Sequence, residues 1–143
     1  MSGGDWELGT GDWEGALTGV VRERGPSPRS YRNLRVWTQG VDFVEAVHRA
    51  TAAFPKHQRF GLTGQVRRAA VSVPSNTAEA WGRGSRADYR RFVLTARGSL
   101  YEVEPQLLIS RRIGYLPAED HAPPVESADA LSRQIAALAR ALD

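Results

Sequence analysis

Apolar residues recur every three or four positions along four segments of the chain, which is the spacing of one buried helix face. The segments cover about residues 34–54, 62–81, 86–113 and 125–142. The last segment carries a narrow apolar seam, which suits the closing of a helix bundle. The pattern therefore predicts an all-α fold, an up-down antiparallel four-helix bundle formed by residues 31–143.

The second segment carries Pro74 in the middle of its apolar stripe. A proline inside a helix removes one backbone hydrogen bond and clashes with the preceding turn, at a cost of about 3 kcal/mol. The apolar spacing nevertheless continues across Pro74 without a change of phase. We therefore predict one continuous, Pro-kinked second helix rather than two separate helices.

The first and third helices are each expected to bury one stripe. In the first helix the stripe consists of Trp37, Val41, Val44, Val47 or His48, Thr51 and Phe54. In the third helix it consists of Tyr89, Phe92 or Val93, Ala96, Leu100, Val103 and Leu107. The third helix carries a second apolar stripe, Leu94, Tyr101 and Leu108, which the core of one bundle does not require. This second stripe predicts an oligomer interface.

The fourth helix is expected to begin at Val125, because the pair Pro123-Pro124 interrupts the chain before it. His57 and His121 then fall in loops exposed to solvent. His48 falls beside the stripe of the first helix, with no second histidine four residues on. The spacing therefore favours an edge residue over a metal ligand.

Residues 1–30 form a different kind of segment. Closely spaced glycines and two prolines predict an extended or disordered N-terminal leader. Trp6 and Trp13 stand in a short repeat within it, and the large apolar area of tryptophan favours a contact. Two interpretations follow: the leader docks to a protein partner through Trp6 and Trp13, or it is a tail without a role.

Length and composition limit the class of protein. A chain of 143 residues suits one bundle domain after the leader. It contains no cysteine, which excludes disulfides and thiolate metal sites. It has no signal-peptide pattern and no apolar run near the roughly 20 residues that span a bilayer. We therefore expect a cytoplasmic protein that makes no membrane contact.

Charge is divided along the chain. Residues 1–30 carry five acidic and three basic residues, whereas residues 31–143 carry sixteen basic and eleven acidic residues, a net charge of +5. Every basic residue except Lys56 is arginine, which binds phosphate in a bidentate manner and stacks on bases. GC-rich coding would produce the same bias without any function, but the surface of the bundle is an arginine surface in either case.

The sequence around Pro74 resembles a known bacterial family. The pattern Leu62-Thr63-x-Gln65-x-Arg67-Arg68-Ala69-Ala70-Val71-Ser72-Val73-Pro74-Ser75-Asn76-x-Ala78-Glu79-x-x-Gly82-Arg83 is similar to that of the proteins encoded by intervening sequences in 23S ribosomal RNA genes. The resemblance covers about residues 31–143. It identifies Pro74, Asn76, Glu79 and Gly82 as a structural motif.

The resemblance implies a four-helix bundle, and a related branch implies more. The accessory proteins of diversity-generating retroelements belong to that branch, and they are basic homopentamers that work with a reverse transcriptase and nucleic acid. By resemblance, therefore, the chain is expected to form a homo-oligomer, a pentamer, with nucleic acid as a partner.

No combination of residues indicates an enzyme. The chain lacks a cysteine nucleophile, a Gly-x-Ser-x-Gly motif and a His-x-x-x-His motif, so we expect no catalysis, no cofactor and no metal. Asn76 is expected to satisfy backbone groups freed by Pro74, and Glu79 to pair with Arg83, in preference to a catalytic role. Ser85 is predicted to cap the third helix, in preference to a phosphate-binding turn at Gly82.

The functional hypothesis is a non-catalytic oligomer that binds nucleic acid, with structured RNA favoured over DNA. Its phosphate-binding surface is predicted to consist of Arg67, Arg68, Arg83, Arg86, Arg90, Arg91 and Arg97, provided that they share a face. Binding would tolerate many sequences, because no recognition helix or aromatic sheet is present to read bases. The alternative is an oligomeric scaffold or adaptor for a protein partner, with the arginines paired to acids or solvated.

Overall fold

The computed structural model describes residues 30–143. In this part of the chain it contains four long helices and two short 3-10 turns, and no strand. The helices are α1 (Arg35–Thr51), α2 (Leu62–Trp81), α3 (Arg86–Arg112) and α4 (Ala118–Ala141), and the turns are Tyr31–Asn33 and Lys56–Gln58. The all-α fold predicted from the apolar spacing is confirmed.

The helices close into a bundle in which each packs against two others. α1 and α3 each contact both α2 and α4. After α1, the ring of Phe54 lies 5.7 Å from that of Tyr115, which precedes α4. At the other end of the bundle, Arg86 at the start of α3 donates to the carbonyl of Leu142 after α4, at 3.1 Å. Neighbouring helices therefore run antiparallel, as predicted.

The core follows the predicted stripe in α3 but not throughout α1. In α1 the buried residues are Val36, Gly40, Phe43, Val47, Ala50 and Thr51. Trp37 and Val44, which were predicted to be buried, are half-buried, and Val41 is exposed. The first half of the predicted stripe is wrong. Gly40 lies on the buried face but has no apolar side chain that would indicate this, whereas Trp37, Val41 and Val44 lie beside that face and are large and apolar.

α2 runs unbroken through Pro74. Pro74 is buried against α1, where a Cβ built on Gly40 would lie only 3.1 Å from the Cβ of the proline. The absence of a side chain at Gly40 therefore allows the two helices to approach closely at this point. On the following turn, the hydroxyl of Thr77 donates to the carbonyl of Pro74 at 2.9 Å.

Local signals fix both ends of α3. The hydroxyl of Ser85 accepts the N–H of Asp88 at 3.1 Å, which is the predicted cap. At the other end Gly114 has φ of 89°, and the N–H of Tyr115 donates to the carbonyl of Ser110 at 2.9 Å. This is a Schellman ending, in which glycine adopts the left-handed conformation at little cost.

α4 begins seven residues earlier than predicted, at Ala118, with Pro123 and Pro124 inside it. Pro117 precedes the helix, and its carbonyl accepts the N–H of Asp120 and that of His121, both at 3.0 Å. Pro124 is buried, so packing favours the helix that the two prolines weaken. The assignment of His121 to a loop is therefore wrong; it lies half-buried in the first turns of α4.

Candidate nucleic-acid interface

The seven arginines predicted to bind nucleic acid lie at separate places on the bundle. Two of them, Arg86 and Arg90, lie at the carboxyl end of α4. Arg86 donates to the carbonyls of Ala141, Leu142 and Asp143 at 3.2, 3.1 and 2.8 Å. Arg90 donates to the carbonyl of Ala139 at 3.3 Å and lies 3.7 Å from the carboxylate of Asp143. Both satisfy the last carbonyls of a helix, which is a structural use of their charge.

Arg83 and Arg91 both lie over the ring of Phe92, with their guanidinium carbons 4.8 and 4.5 Å from the ring centre. Each also has an acidic partner. Arg83 pairs with Glu79 at 3.3 Å, as predicted from the spacing, and Arg91 pairs with Asp88 at 3.3 Å. The charge of these two arginines is therefore partly compensated within the chain.

Arg67, Arg68 and Arg97 form no ion pair within residues 30–143. Arg67 is half-buried between α1 and α2. The guanidinium of Arg68 lies over the first turn of α2, where a Cβ built on Gly64 would meet it at 3.0 Å. The guanidinium of Arg97 lies 5.9 Å from the ring centre of Tyr101 on α3.

Two further basic residues, which sequence reasoning missed, lie beside Arg67. Lys56 and Arg59 follow the end of α1, and together with Arg67 they line one open pocket of about 510 Å³. We call Lys56, Arg59, Arg67 and Arg68 the α1–α2 basic corner. A sequence signal could have found it, because no Asp or Glu occurs between Glu45 and Glu79, whereas five basic residues do.

Gln58 holds the basic corner in place. Its side-chain Oε1 accepts the N–H of Leu62 at 3.0 Å and so caps α2, and its Nε2 donates to the Tyr115 hydroxyl at 3.4 Å. A Cβ on Gly61 would meet Gln58 Oε1 at 2.5 Å, so this cap requires glycine at position 61. With Gln58 turned inward, the neighbouring Lys56 and Arg59 are exposed to solvent.

Arg67 is anchored at the wall of the pocket. Its Nε donates to the Thr51 hydroxyl at 2.8 Å, and one terminal nitrogen donates to the carbonyl of His48 at 3.5 Å. Partial burial and then the positive charge of Arg67 lower the pKa of His48. His48 therefore adds no charge to the corner at neutral pH.

The motif around Pro74 has structural partners. Asn76 Nδ2 donates to the carbonyl of Ser72 at 2.8 Å and to its hydroxyl at 2.9 Å, and the Ser72 hydroxyl lies 2.8 Å from that of Ser99 on α3. The carbonyl that loses its helical donor to Pro74 is that of Ala70, four residues earlier. Ser72, to which Asn76 is bonded within α2, therefore links α2 to α3. The predicted bond from Asn76 to the freed carbonyl of Ala70 is not formed.

Gly82 of the same motif follows the last residue of α2, with φ of −83°, and its N–H donates to the carbonyl of Glu79 at 3.1 Å. It therefore ends the helix in an ordinary conformation.

A strip of apolar side chains lies on the outer side of α3. Leu94 is half-buried, whereas Tyr101 and Leu108 are 55 and 53 % exposed. Between Leu94 and Tyr101, a Cβ built on Gly98 would meet nothing within 4 Å. We call Leu94, Tyr101 and Leu108 the α3 apolar strip. Within residues 30–143, no other helix covers Tyr101 and Leu108.

Two kinds of site are not found among the described residues. Glu45 and His48 stand at Glu-x-x-His spacing on α1, but no three His, Asp or Glu side chains of residues 30–143 are grouped so that they could hold a metal ion. None of the described helices combines the length and apolarity needed to cross a bilayer. Trp6 and Trp13, predicted to dock a partner, lie outside residues 30–143.

The fold and its surface define a class: a small antiparallel four-helix bundle with a proline inside its second helix, a cationic corner and an exposed apolar strip. Residues 32–137 match the family described as 23S rRNA-intervening sequence protein. Because the match covers most of the chain, the protein belongs to this family, as the sequence around Pro74 indicated. A search among curated proteins gave no match.

Proposed function

We propose that the protein is a non-catalytic, oligomeric four-helix bundle that binds nucleic acid, RNA in preference to DNA, at the α1–α2 basic corner. One observation carries the proposal. Lys56, Arg59 and Arg67 line one pocket at the start of α2, the guanidinium of Arg68 lies over Gly64 on the first turn of that helix, and none of the four forms an ion pair within residues 30–143. A group of cations without acidic partners repels itself and is stabilised by a polyanion.

The rest of the predicted surface supports the corner less directly. Arg86 and Arg90 are bound to the end of α4, and Arg83 and Arg91 are paired with acids. RNA is favoured over duplex DNA because a compact corner suits unpaired or irregular strands better than a continuous groove. The proposed interface therefore differs from the sequence hypothesis in its centre, which moves from the turn between α2 and α3 to the connection between α1 and α2.

The α3 apolar strip supports the oligomeric part of the proposal. Tyr101 and Leu108 leave more than half of their surface in water, and exposed apolar strips of this kind are typical of subunit contacts. In a homo-oligomer, a second copy of the chain would cover the strip. Leu108→Glu is expected to lower the mass measured by analytical ultracentrifugation while the helical circular dichroism is retained. An unchanged mass would contradict this assignment.

The experiment for nucleic-acid binding is fluorescence anisotropy with a structured RNA and a DNA duplex across a salt series. Binding through phosphates gives a linear fall of log affinity with log salt concentration. Arg68→Gln is expected to weaken binding to every sequence and to reduce the slope by about 1.

The matched control is Arg49→Gln, because Arg49 is also an exposed arginine from the acid-free segment but pairs with Glu45 at 3.8 Å. Arg49→Gln should leave the affinity nearly unchanged. Absence of binding to both nucleic acids at low salt would refute the proposal. Equal losses in the Arg68 and Arg49 variants would refute the assignment to the basic corner.

A further inference from the structure

We infer that the α1–α2 basic corner is a site for an unpaired nucleotide of a single strand, in which the pocket takes the phosphate group and the ring of Phe60 takes the base. The inference rests on the proposed function and adds to it the chemistry of the ligand. It follows from four features of the corner: the charge of the pocket, the anchoring of Arg67, the buried hydroxyl of Thr63 and the exposure of Phe60.

The pocket has the charge and size for a phosphate group. Lys56, Arg59 and Arg67 line it, no acidic residue does, and the apolar walls come from Phe54 and Pro55. Its volume of about 510 Å³ lies in the range of small-molecule sites. Three cations that face one pocket without a carboxylate favour a doubly or singly charged anion over a neutral ligand.

Arg67 is held ready for such a ligand. A guanidinium group has five N–H donors, and two groups of Arg67 are bound to Thr51 and His48. These bonds fix the plane of the guanidinium and leave further N–H groups for phosphate oxygens. Little side-chain freedom would be lost on binding, because the side chain is already anchored and half-buried.

Thr63 provides a second donor in the same pocket. It lines the pocket, it is only 7 % exposed, and its hydroxyl is buried without a hydrogen-bond partner. A buried hydroxyl without a partner is unfavourable. If the side chain of Thr63 rotates so that its hydroxyl faces the pocket, a phosphate oxygen there would accept its hydrogen bond and remove that cost.

Phe60 places an aromatic surface beside the phosphate pocket. Its side chain is 84 % exposed, and the guanidinium carbon of Arg59 lies 5.3 Å from its ring centre. Arg59 therefore belongs both to the pocket and to one side of the ring. A base can stack on the open face of Phe60 while its phosphate contacts Arg59, which is the combination of aromatic platform and basic groove found in single-strand binding sites.

The test uses two fluorescent strands of equal length, an oligouridylate and an abasic phosphodiester strand, which carry the same charge. Phe60→Ala is expected to lower the affinity for oligouridylate by about 5- to 150-fold and to leave the affinity for the abasic strand unchanged, because only the first ligand has bases to stack. Thr63→Val is expected to lower the affinity for both strands. Val71→Ala, which shortens an exposed apolar side chain on α2, is the control and should change neither.

Three results would overturn the inference. Equal losses on both strands in the Phe60 variant would remove the stacking assignment, and a change in oligomer mass would assign the ring to a subunit contact. If uridine monophosphate displaced the oligouridylate when both are present at the same concentration, the corner would be a site for free nucleotides instead.

The experiment also separates the inference from the proposed function. If Arg68→Gln weakens binding while Phe60→Ala and Thr63→Val do not, the corner binds phosphates without the nucleotide site, and only the inference fails. If the native protein binds neither strand, the duplex nor the structured RNA at low salt, both fail.

Discussion

The contact between Gly40 and Pro74 is expected to set how closely α1 and α2 approach, and Gly40→Ala tests this. In a helix interior without neighbours, replacing glycine by alanine stabilises the protein by about 1 kcal/mol. Here the new Cβ would lie 3.1 Å from Pro74 Cβ and 3.4 Å from its Cα and Cδ. Ordinary carbon contacts are about 3.5–4.0 Å, and overpacking a core costs about 1–3 kcal/mol. The net expectation is a loss of up to about 2 kcal/mol.

The same Gly40→Ala substitution in a Pro74→Gly background tests whether the proline causes the loss of stability. Pro74→Gly removes the ring and its Cβ, so the added methyl group of Gly40→Ala then has room. In this background Gly40→Ala is expected to stabilise by about 1 kcal/mol, the ordinary helix-propensity gain. The difference between the two backgrounds, about 1–3 kcal/mol, is the coupling energy of the contact.

The assay is urea unfolding followed by circular dichroism at one fixed protein concentration, because assembly shifts the apparent stability. For a domain of this size, 1 kcal/mol corresponds to about 3–5 °C in thermal midpoint, so a thermal scan gives an independent check. If Gly40→Ala stabilises by the same amount in both backgrounds, the proline does not limit the approach of α1, and the reasoning is wrong.

Three further outcomes are expected in solution. Burial and then the charge of Asp129 raise the pKa of Glu104, so ionisation of this carboxyl group destabilises the folded state as pH rises above 4.5. Glu104→Gln should therefore raise the thermal midpoint at pH 7, and this gain should disappear in acid. Ser85→Ala should cost about 1 kcal/mol in urea unfolding, because it removes the cap of α3. Burial and then the charge of Arg111 lower the pKa of His121, so as pH falls the imidazole is protonated in the unfolded chain before it is protonated in the folded one. The free energy of unfolding should therefore decrease as pH falls below 6.5, and it should decrease less in His121→Gln.

Features that depend on neighbours in sequence could be predicted. The Glu79 and Arg83 pair and the Ser85 cap join residues three or four positions apart, and both are formed. The path of α2 through Pro74 was also predictable, because the apolar stripe keeps its phase on both sides of the proline.

Features that depend on distant packing could not be predicted. Arg86 was predicted to bind nucleic acid, but it donates to backbone carbonyls 55 to 57 residues away. The start of α4 was misplaced because the pair Pro123-Pro124 suggests a break, whereas burial of Pro124 favours the helix. The acid-free segment between Glu45 and Glu79 marks the cations of the basic corner, but whether Lys56, Arg59 and Arg67 line one pocket depends on how α1 and α2 pack.

The positions of the α3 apolar strip and the basic corner would connect the proposed assembly of subunits with the proposed binding of nucleic acid. Leu108 belongs to the last turns of α3, and Tyr115, which follows that helix, is bonded to Gln58 in the corner. The strip therefore extends to the end of the bundle that carries the corner. If copies contact one another through the strip and are related by a common rotation axis, their corners lie on one circle, and a long strand can contact several of them at once.

This arrangement predicts how the salt dependence changes when assembly is lost. One corner offers at most four cations, Lys56, Arg59, Arg67 and Arg68, so a Leu108→Glu monomer should bind a long single strand with a log–log salt slope no steeper than about −3. If the native chain forms the proposed oligomer, it should give a steeper slope and a higher affinity on the long strand, but a similar slope on a strand that reaches only one corner. A monomeric variant that kept the slope of the oligomer on the long strand would show that one subunit supplies all the phosphate contacts, and the corner would then be only part of the interface.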